Sequence, residues 1–370
     1  MRIHERRSLG RRLRPYFTVF DGPLTLIIVA LLTVSMITLY SASIGIPGKM
    51  EDQVRNIVLS FLVMWLAANI SPQTMMRIAV PAYAAGMILL VGVALFGIIK
   101  LGARRWLHLG IDIQPSEFMK IVTPMMLAWF FQQRAGQLRW HSYLLAAVLL
   151  MAPVLFIVRQ PDLGTALLVV AAGFTVIFLA GLAWKAIGVL LVLFGASLPV
   201  IWTLLHDYQR ERVMTLIDPT SDPLGKGFHI IQSTIAVGSG GMTGKGWTHG
   251  TQAHLEFVPE RTTDFIFAVY SEEFGLIGNL LLLLLYLLLV GRGLMIAGNA
   301  ANLFSRLLAG AMTMIYFAYA FVNMGMVSGI LPVVGVPLPY MSYGGTALLT
   351  LGLAGGILMS IQRHRKLVQT

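Results

Sequence analysis

The sequence predicts an all-α integral membrane protein with about ten transmembrane helices and both termini in the cytoplasm. Of its 370 residues, 57% are hydrophobic and only 12% are charged, whereas soluble domains are about half apolar and about a quarter charged. The apolar residues form runs of about 20, the length that an α-helix needs to cross a bilayer. The basic residues are concentrated in alternate connections between these runs, which is typical of a membrane protein with a defined orientation.

The chain begins with a basic segment, residues 1–20, that contains six arginines. The apolar run that follows is long enough to span a membrane, so we predict a cytoplasmic tail rather than a cleaved signal peptide. Residues 21–370 are predicted to form a single polytopic membrane domain without internal repeats. The predicted helices lie near residues 22–41, 54–70, 77–99, 117–133, 142–158, 163–183, 186–205, 264–290, 303–328 and 342–361.

An even number of helices places both termini on the same side, and the charges indicate that this side is the cytoplasm. With this orientation, 15 of the 27 basic residues but only two of the 16 acidic residues lie on the cytoplasmic side, in agreement with the positive-inside rule. The connections at 100–116, 159–162, 206–263 and 329–341 then lie outside. The connection at 206–263, between the seventh and eighth helices, is the longest, so an activity built from these connections works at the extracytoplasmic face.

The composition excludes several classes of site and partner. The chain contains no cysteine, which excludes disulfides, thiolate metal sites and thiol redox chemistry. The net charge of +11 arises in short loops, and no basic helix is interleaved with aromatic residues. We therefore expect no nucleic-acid partner.

Charged residues cluster at the outer end of the predicted fourth helix. Glu117 and Lys120 are three residues apart and therefore share a face of that helix, while Arg104, Arg105 and Trp106 precede it. One interpretation is an ion pair at the interface, with the tryptophan as a membrane anchor. The other is a polar cavity in which the arginines attract a phosphate, because charges at membrane depth usually face such a cavity.

A second cluster occupies the short outer turn between the fifth and sixth helices. Asp162 lies between a proline and a glycine, and turn chemistry alone explains that sequence. Arg159 is different, because a guanidinium beside a membrane span can hold a lipid phosphate with two parallel hydrogen bonds.

The long outer connection contains three kinds of sequence. Arg210 and Arg212 lie near its start, residues 228–237 form an amphipathic stretch too short to span a membrane, and five glycines follow within residues 238–246. The glycines match neither a P-loop nor a dinucleotide fingerprint. They could form a hinge, or their amides could cradle an anion.

The same connection contains a group of histidine and acidic side chains that could bind a metal. The group consists of His249, His254, Glu256 and Glu260. The spacing matches no zinc motif and the residues lie in a loop, so we expect no metal site.

Asp264 lies where the long connection enters the eighth helix. An aspartate at a helix start ordinarily acts as the N-cap. Glu272 and Glu273 follow in the same helix, and two carboxylates at membrane depth indicate a polar interior. We expect them to pair with a cation such as Lys120. The uncharged, proline-rich segment 331–345 is expected to pack against the cavity as a rigid roof.

Five blocks of the sequence resemble the SEDS family (shape, elongation, division and sporulation). They keep the order of the family's motifs and, together, the match covers essentially all of the chain after the basic tail. Residues 206–247 and 331–337 resemble the rod-shape branch of the family rather than its division branch. The five blocks are residues 105–106, 114–117, 160–165, 263–267 and 337–345.

The resemblance implies a peptidoglycan glycosyltransferase of the bacterial inner membrane that polymerises lipid II during cell elongation. It also implies a class B penicillin-binding protein as the partner, within the elongation machinery. The family's essential aspartate corresponds to Asp264, and its glutamate corresponds to Glu117.

Lipid II is α-linked and the glycan is β-1,4-linked, so the transfer inverts the anomeric carbon. One base, Asp264, could accept the proton of the acceptor hydroxyl. Cationic side chains, with a divalent cation such as Mg²⁺ or Mn²⁺ as an optional helper, could stabilise the leaving pyrophosphate. The candidate substrate-binding residues are Arg104, Arg105, Trp106, Lys120, Arg159, Asp162, Arg210 and Arg212.

A flippase for the lipid-linked precursor is an alternative, because a polar cavity between helices also suits transport. The charged residues lie at the outer side rather than near the bilayer midplane, where transporters bind their substrates. This distribution favours the enzyme. A scaffold for the penicillin-binding protein is a third alternative, and it would not require Asp264.

Overall fold

The computed structural model describes residues 19–100, 103–108, 110, 112–204, 207–219, 226–251 and 260–365. In this part of the chain, helices dominate and only one small sheet is present. The first third contains α1 (Gly22–Ala42), α2 (Lys49–Asn69), α3 (Pro72–Phe96), β1 (Ile98–Lys100), β2 (Ala103–His108) and β3 (Asp112–Ile113). The middle contains α4 (Pro115–Gln133), α5 (Trp140–Arg159), α6 (Leu163–Leu179), α7 (Trp184–Leu204), α8 (Asp207–Ile217) and α9 (Lys226–Ser239). The last third contains α10 (Ile266–Gly298), α11 (Leu303–Val327) and α12 (Gly345–Arg363).

Each of the ten predicted apolar segments is helical, with ends within a few residues of the prediction for most of them. The expectation of an entirely α-helical chain is wrong at residues 98–113, where β1, β2 and β3 form an antiparallel three-stranded sheet. Within residues 206–263, the described part contains two helices, α8 and α9. Six helices are long and apolar enough to cross a membrane: α1, α3, α5, α10, α11 and α12.

Local sequence explains where several helices begin. The side chains of Asp21, Ser71, Asp162 and Asn302 accept backbone N–H bonds from the first turns of α1, α3, α6 and α11. Such caps satisfy donors that the helix itself leaves unpaired. Proline occupies the first turn of α1, α3 and α4, where its missing N–H costs nothing.

α11 lies at the centre of the bundle and is buried over most of its length. It packs against α6, α10 and α4, while α12 packs against α2 and α1 packs against α10. Tyr316 and Tyr340 are buried with their hydroxyl oxygens 2.8 Å apart, and the two oxygens lie 2.7 and 2.9 Å from the carbonyl oxygen of Leu351. These two hydroxyls are therefore paired within the bundle, as burial in a bilayer requires.

Contacts at the two ends of α1 define the two ends of the bundle. At one end Arg292 of α10 pairs with Asp21, through contacts of 2.6 and 3.0 Å. At the other end Arg261 donates to the carbonyl of Ala42, the last residue of α1. Because α1 contains 21 residues and an α-helix rises about 1.5 Å per residue, the ends are about 30 Å apart. The first and last described residues lie at the Asp21 end, and Asp264 lies at the opposite end.

α10 is broken at Gly275, whose φ of 63° and ψ of −159° lie outside the helical range. The glycine run is hydrogen-bonded into this break. The N–H groups of Lys245 and Gly246 donate to the carbonyls of Glu272 and Glu273, and Leu276 donates back to Gly241. A Cβ on Gly275 would lie 2.3 Å from the backbone nitrogen of Gly244. Within the glycine run, Gly240 and Gly244 are therefore needed for close backbone packing, since a Cβ on them would lie 2.1 and 2.0 Å, respectively, from a carbonyl oxygen of α10.

Candidate active site

The Asp264 carboxyl group lies at the entrance of α10, two residues before the helix begins. Its side chain is half-buried. Burial, and secondly the negative charge of Glu260, raise the pKa of Asp264 to about 6. Within the part of the chain that the structure describes, no side chain donates a hydrogen bond to this carboxylate. A half-buried carboxylate without a partner can accept a proton near neutral pH.

The interpretation of Asp264 as the N-cap of the helix is wrong. α10 begins at Ile266, its N-cap position is Phe265, and no side chain caps it. The physical reason is the turn at residues 260–265, in which the N–H of Phe265 donates to the carbonyl of Glu260. This turn places Asp264 one residue too early to reach the free N–H groups of the helix. The carboxylate of Asp264 therefore does not cap α10, contrary to the expectation from the sequence.

The backbone around Asp264 is fixed by the segment 331–345. The buried amide of Asn323 donates from the same nitrogen to the carbonyls of Asp264 (2.8 Å) and Val336 (2.7 Å). Ser342 donates to the carbonyl of Thr263 over 2.7 Å. A Cβ on Gly335 would lie 3.5 Å from Oδ2 of Asp264. The backbone of the proline-rich segment therefore passes close to the carboxylate, as its predicted position beside a site requires.

Glu117 and Lys120 form a buried ion pair, with Nζ and Oε1 2.5 Å apart. Lys120 also donates to the hydroxyl of Tyr319 on α11, and Glu117 accepts from Thr350 on α12 over 3.0 Å. The predicted sharing of one helix face is confirmed. The cluster links three helices, α4, α11 and α12.

The expectation that the two carboxylates of α10 pair with a cation is confirmed for Glu272, but the cation is Lys245 and not Lys120. Glu272 is fully buried and binds Lys245, with Nζ 2.6 Å from Oε1. Glu273 accepts a short hydrogen bond from Ser41 of α1. The glycine run explains the difference. It is hydrogen-bonded into the break of α10 and thereby brings Lys245 next to Glu272.

α11 brings the ion pair and the carboxylate to one region. Tyr319 contacts Lys120, and Asn323 contacts the backbone of Asp264. These two α11 residues are four apart and therefore lie one above the other on the same helix face. The Glu117–Lys120 pair and Asp264 thus lie on either side of about one helical turn of α11.

The second predicted cluster is attached to the same region. Asp162 accepts from Gln114 over 3.0 Å and lies 3.9 Å from the guanidinium of Arg105. Arg105 also donates to the carbonyls of Gln160 and Pro161. A Cβ on Gly164 would lie 2.8 Å from the carbonyl oxygen of Val334, which is adjacent to Gly335. The three outer motifs therefore converge around Asp264, although Arg105 and Asp162 also hold each other in place.

The other predicted substrate-binding residues lie outside this inner cluster. Arg104 is exposed and donates to the carbonyl of Ala94 over 3.3 Å, and Trp106 is half-buried on β2. Arg159 is exposed at the last residue of α5. Arg210 donates to the carbonyls of Trp202 and Thr203 at the end of α7. The side chain of Arg212 lies outside the described residues.

The histidine and acidic group of the long connection is only partly described. His254 and Glu256 lie outside the described residues, and Nδ1 of His249 is 2.8 Å from the carbonyl oxygen of Trp247. No group of three or more potential metal ligands is found in the parts of the chain that the structure covers.

Comparison with known proteins identifies the family of this chain. The family model described as "Cell cycle protein", for FtsW, RodA and SpoVE, matches residues 23–367. The chain belongs to this family. The membership predicted from the sequence blocks is therefore confirmed, and with six helices able to span a bilayer the chain is a multi-pass membrane protein.

Individual relatives cover nearly the whole chain. The peptidoglycan glycosyltransferase MrdB of Escherichia coli (strain K12) is 52% identical over 350 residues, which are 94% of this chain and 95% of that protein. Stage V sporulation protein E of Bacillus subtilis (strain 168) is 34% identical over 362 residues, 94% of this chain and 98% of that protein. The identity to MrdB supports the rod-shape branch.

Solved structures share the fold. A chain from a study of how a peptidoglycan synthase complex coordinates polymerization and crosslinking matches with a TM-score of 0.80 at 34% identity, covering 95% of this chain and 99% of that one. The crystal structure of the rod shape determining protein RodA of Thermus thermophilus matches with a TM-score of 0.70 at 30% identity, covering 94% and 97%. The rod-shape assignment is thus confirmed by sequence and by fold.

Sequence reasoning missed residues that hold the site together. Tyr319 and Asn323 were not singled out, although a buried asparagine in an apolar helix is a signal of a specific polar contact. Gly335 and Ser342 lie in a predicted roof, but their contacts with Asp264 and Thr263 depend on how the segment folds back over α11. That placement has no local sequence signal.

Proposed function

We propose that this protein is a peptidoglycan glycosyltransferase that polymerises lipid II into β-1,4 glycan strands during cell elongation. The observation that carries the proposal is the half-buried carboxylate of Asp264, which binds no described side chain. It lies one turn of α11 away from the Glu117–Lys120 ion pair, at one end of a membrane-spanning bundle. The 52% identity to the peptidoglycan glycosyltransferase MrdB supports the same activity.

The reacting end of the molecule is proposed to face the extracytoplasmic space. We propose ten spans, formed by α1–α7 and α10–α12, with both termini in the cytoplasm and residues 206–263 outside. The separation of the Asp21 end from the Asp264 end supports this arrangement, because a lipid-linked sugar pyrophosphate presents its headgroup at the membrane surface. The excess of basic residues assigned to the cytoplasmic side supports the direction.

Asp264 acts as the general base in a single inverting displacement. The 4-hydroxyl of the acceptor sugar gives its proton to the carboxylate while its oxygen attacks the anomeric carbon of the donor. The bond from that carbon to the lipid pyrophosphate breaks, and the pyrophosphate leaves as an anion. Because this leaving group needs no proton, one carboxylate is enough, in contrast to the pair that glycosidases ordinarily use.

Positive charge near the carboxylate stabilises the anionic leaving group. Arg105, which lies beside Asp162, and Lys120, which binds Tyr319, are the proposed inner candidates. Arg104 and Arg159 are more exposed and suit the incoming headgroup. Glu117 orients Lys120 and sets the net charge of the cluster. A divalent cation such as Mg²⁺ or Mn²⁺ would supply additional positive charge to the pyrophosphate.

The partner is proposed to be a class B penicillin-binding protein, which cross-links the strands. The match to a chain of a peptidoglycan synthase complex supports a partner of this type. The partner and the rest of the elongation machinery would meet the chain within the membrane and at its outer face.

Purified protein in detergent, given lipid II alone, tests the activity. Detergent provides no second compartment, so a flippase would leave the substrate unchanged, whereas a polymerase produces glycan chains that a gel resolves. The expected result is polymer with the wild-type protein and none with Asp264→Asn. A scaffold would give no polymer with either protein and would support growth in cells with Asp264→Asn.

A further inference from the structure

A polar cavity lies at the end of the bundle opposite to Asp264. Its volume is about 380 Å³, within the range of small-molecule sites. It is formed where the first residues of α1 meet the last turn of α12. The lining side chains are Val19, Phe20, Asp21, Met359, Gln362, Arg363 and Arg365.

The cavity has a net positive charge. Asp21, the acidic residue among the described lining residues, is already engaged. Arg292 binds both of its carboxylate oxygens, and the N–H of Leu24 donates to Oδ1 over 3.0 Å. The charge of Asp21 is therefore balanced by Arg292. Arg363 and Arg365 remain as two exposed guanidinium groups at the cavity.

Gln362 links the two sides of this cavity. In the amide orientation that satisfies both neighbours, its oxygen accepts from Arg292 over 3.1 Å and from Arg365 over 3.2 Å. Arg365 is thereby attached to the Asp21–Arg292 pair. The cavity is built from connected side chains rather than from isolated surface arginines.

The position of the cavity specifies the kind of ligand. It lies at the ends of two candidate membrane spans, α1 and α12, which is the level of lipid headgroups. Its wall is mixed, since Val19 and Met359 are buried apolar residues and Arg363 is exposed. Guanidinium groups bind phosphate oxygens with two parallel hydrogen bonds, and basic pockets between transmembrane helices bind anionic headgroups.

We propose that this cavity binds the phosphodiester headgroup of an anionic phospholipid, with Arg363 and Arg365 as the phosphate ligands. The apolar wall receives the start of an acyl chain. This site is independent of the proposed glycosyltransferase reaction, since it lies about 30 Å from Asp264 along the helix axis.

Retention of lipid by the purified full chain tests the site. The delipidated protein is titrated with phosphatidylglycerol or with phosphatidylcholine of the same acyl chains, and bound lipid is counted by native mass spectrometry. The expected result is preferential binding of phosphatidylglycerol by the wild-type protein. The variant Arg363→Gln/Arg365→Gln should weaken that binding by about tenfold.

A matched control separates the cavity from general surface charge. Arg77→Gln/Arg306→Gln removes the same charge from exposed positions at the same end of the bundle and outside the cavity, and it should leave phosphatidylglycerol binding within about twofold. An equal loss in both double variants would overturn the proposal, as would equal binding of the two lipids by the wild-type protein.

Two further arms keep the test decisive. Arg363→Lys/Arg365→Lys retains the charge but not the bidentate geometry of the guanidinium groups, so its phosphatidylglycerol binding should lie between that of the wild-type protein and that of the glutamine variant. The lysine variant still tests the site if the glutamine variant does not fold. Glycerol phosphate at millimolar concentration should not displace the lipid. Full displacement would identify a site for a soluble phosphate instead, and wild-type binding by the lysine variant would refute the bidentate contact.

Discussion

Glu117 and Asp264 are two carboxylates at the entrances of helices, but their surroundings are opposite. Glu117 is bound by Lys120 at 2.5 Å and by Thr350 at 3.0 Å. Asp264 receives no hydrogen bond from any described side chain, and the charged neighbour that affects its pKa is another acid, Glu260. One carboxylate is bound by a cation and a hydroxyl, whereas the other has a raised pKa and no described side-chain donor, so it is available to exchange a proton.

This difference assigns different tasks to residues that look alike in the sequence. A carboxylate that binds a buried lysine contributes to the stability of the bundle and to the charge of the site. A carboxylate whose pKa is raised toward neutrality can take up a proton during a reaction. Substitutions at the two positions should therefore separate activity from stability.

Asp264→Asn is expected to have the largest effect on activity. Loss of the general base should lower glycan synthesis by about 10²–10⁴-fold, measured with purified protein and lipid II on a gel. The thermal stability in detergent should stay close to wild type, because the carboxylate binds no described partner. The same change at the exposed Asp218 is the control, and near-normal synthesis by Asp264→Asn would exclude the base assignment.

Lys120→Met is expected to have the largest effect on stability. It leaves Glu117, whose side chain is 15% exposed, without its cation. The loss of stability should approach the lower end of the range of about 3–5 kcal/mol expected for a fully buried pair, measured as a lower melting temperature in detergent. Glu117→Gln should lower both stability and activity, and its activity loss should be smaller than that of Asp264→Asn.

The double variant Glu117→Gln/Lys120→Met sharpens the comparison. It contains no unpaired buried charge, so most of the lost stability should return. If Glu117 and Lys120 also serve the reaction, synthesis should remain low while the melting temperature recovers. Recovery of both the melting temperature and the glycan synthesis would show that the Glu117–Lys120 pair has only a structural role.

Asn323→Asp tests how the base is positioned. The change removes the N–H donors that bind the carbonyls of Asp264 and Val336 and should cost about 1–3 kcal/mol. Synthesis should fall because the turn at residue 264 is no longer held. Asn299→Asp, at an exposed position after α10, serves as the control, and a variant with lower stability but wild-type synthesis would argue against a positioning role.

Gly240→Ala tests the packing of the glycine run against α10. Its Cβ would lie 2.1 Å from the carbonyl oxygen of Ser271, whereas nothing lies within 4 Å of a Cβ on Gly238. Overpacking should destabilise Gly240→Ala by about 1–3 kcal/mol, and Gly238→Ala should be close to wild type. Equal melting temperatures for the two alanine variants would contradict the backbone packing described at the break.

The pH dependence of synthesis should show a smaller effect. Because burial raises the pKa of Asp264 to about 6, and the base works only when deprotonated, kcat/KM should fall as the pH drops below about 6. Glu260→Gln removes a negative charge that raises this pKa, so the acidic limb should move to lower pH. Glu51→Gln, at an exposed residue of α2, should leave the acidic limb unchanged. An unchanged limb in Glu260→Gln would show that the charge of Glu260 does not raise the pKa of Asp264.

The sequence predicted those parts of the fold that depend on local patterns. Apolar runs gave the helices, and the three-residue spacing of Glu117 and Lys120 gave their ion pair. The same local logic failed at Asp264, because the turn that displaces it from the N-cap depends on a hydrogen bond to Glu260. It also failed for Glu272, whose partner Lys245 is brought close only by the break in α10. Contacts set by segments that return from far along the chain have no local signal.

The break in α10 also restricts how the chain can vary in length. Residues 241–246 exchange hydrogen bonds with both halves of the broken helix, at positions 272–273 and 276–277. Removing or adding one residue there would shift every pair and leave backbone carbonyls of the buried residues Glu272 and Glu273 unpaired, a change that costs about 1–3 kcal/mol per group. This short stretch should therefore keep a constant length in working versions of the protein, even though it lies within the longest connection of the chain.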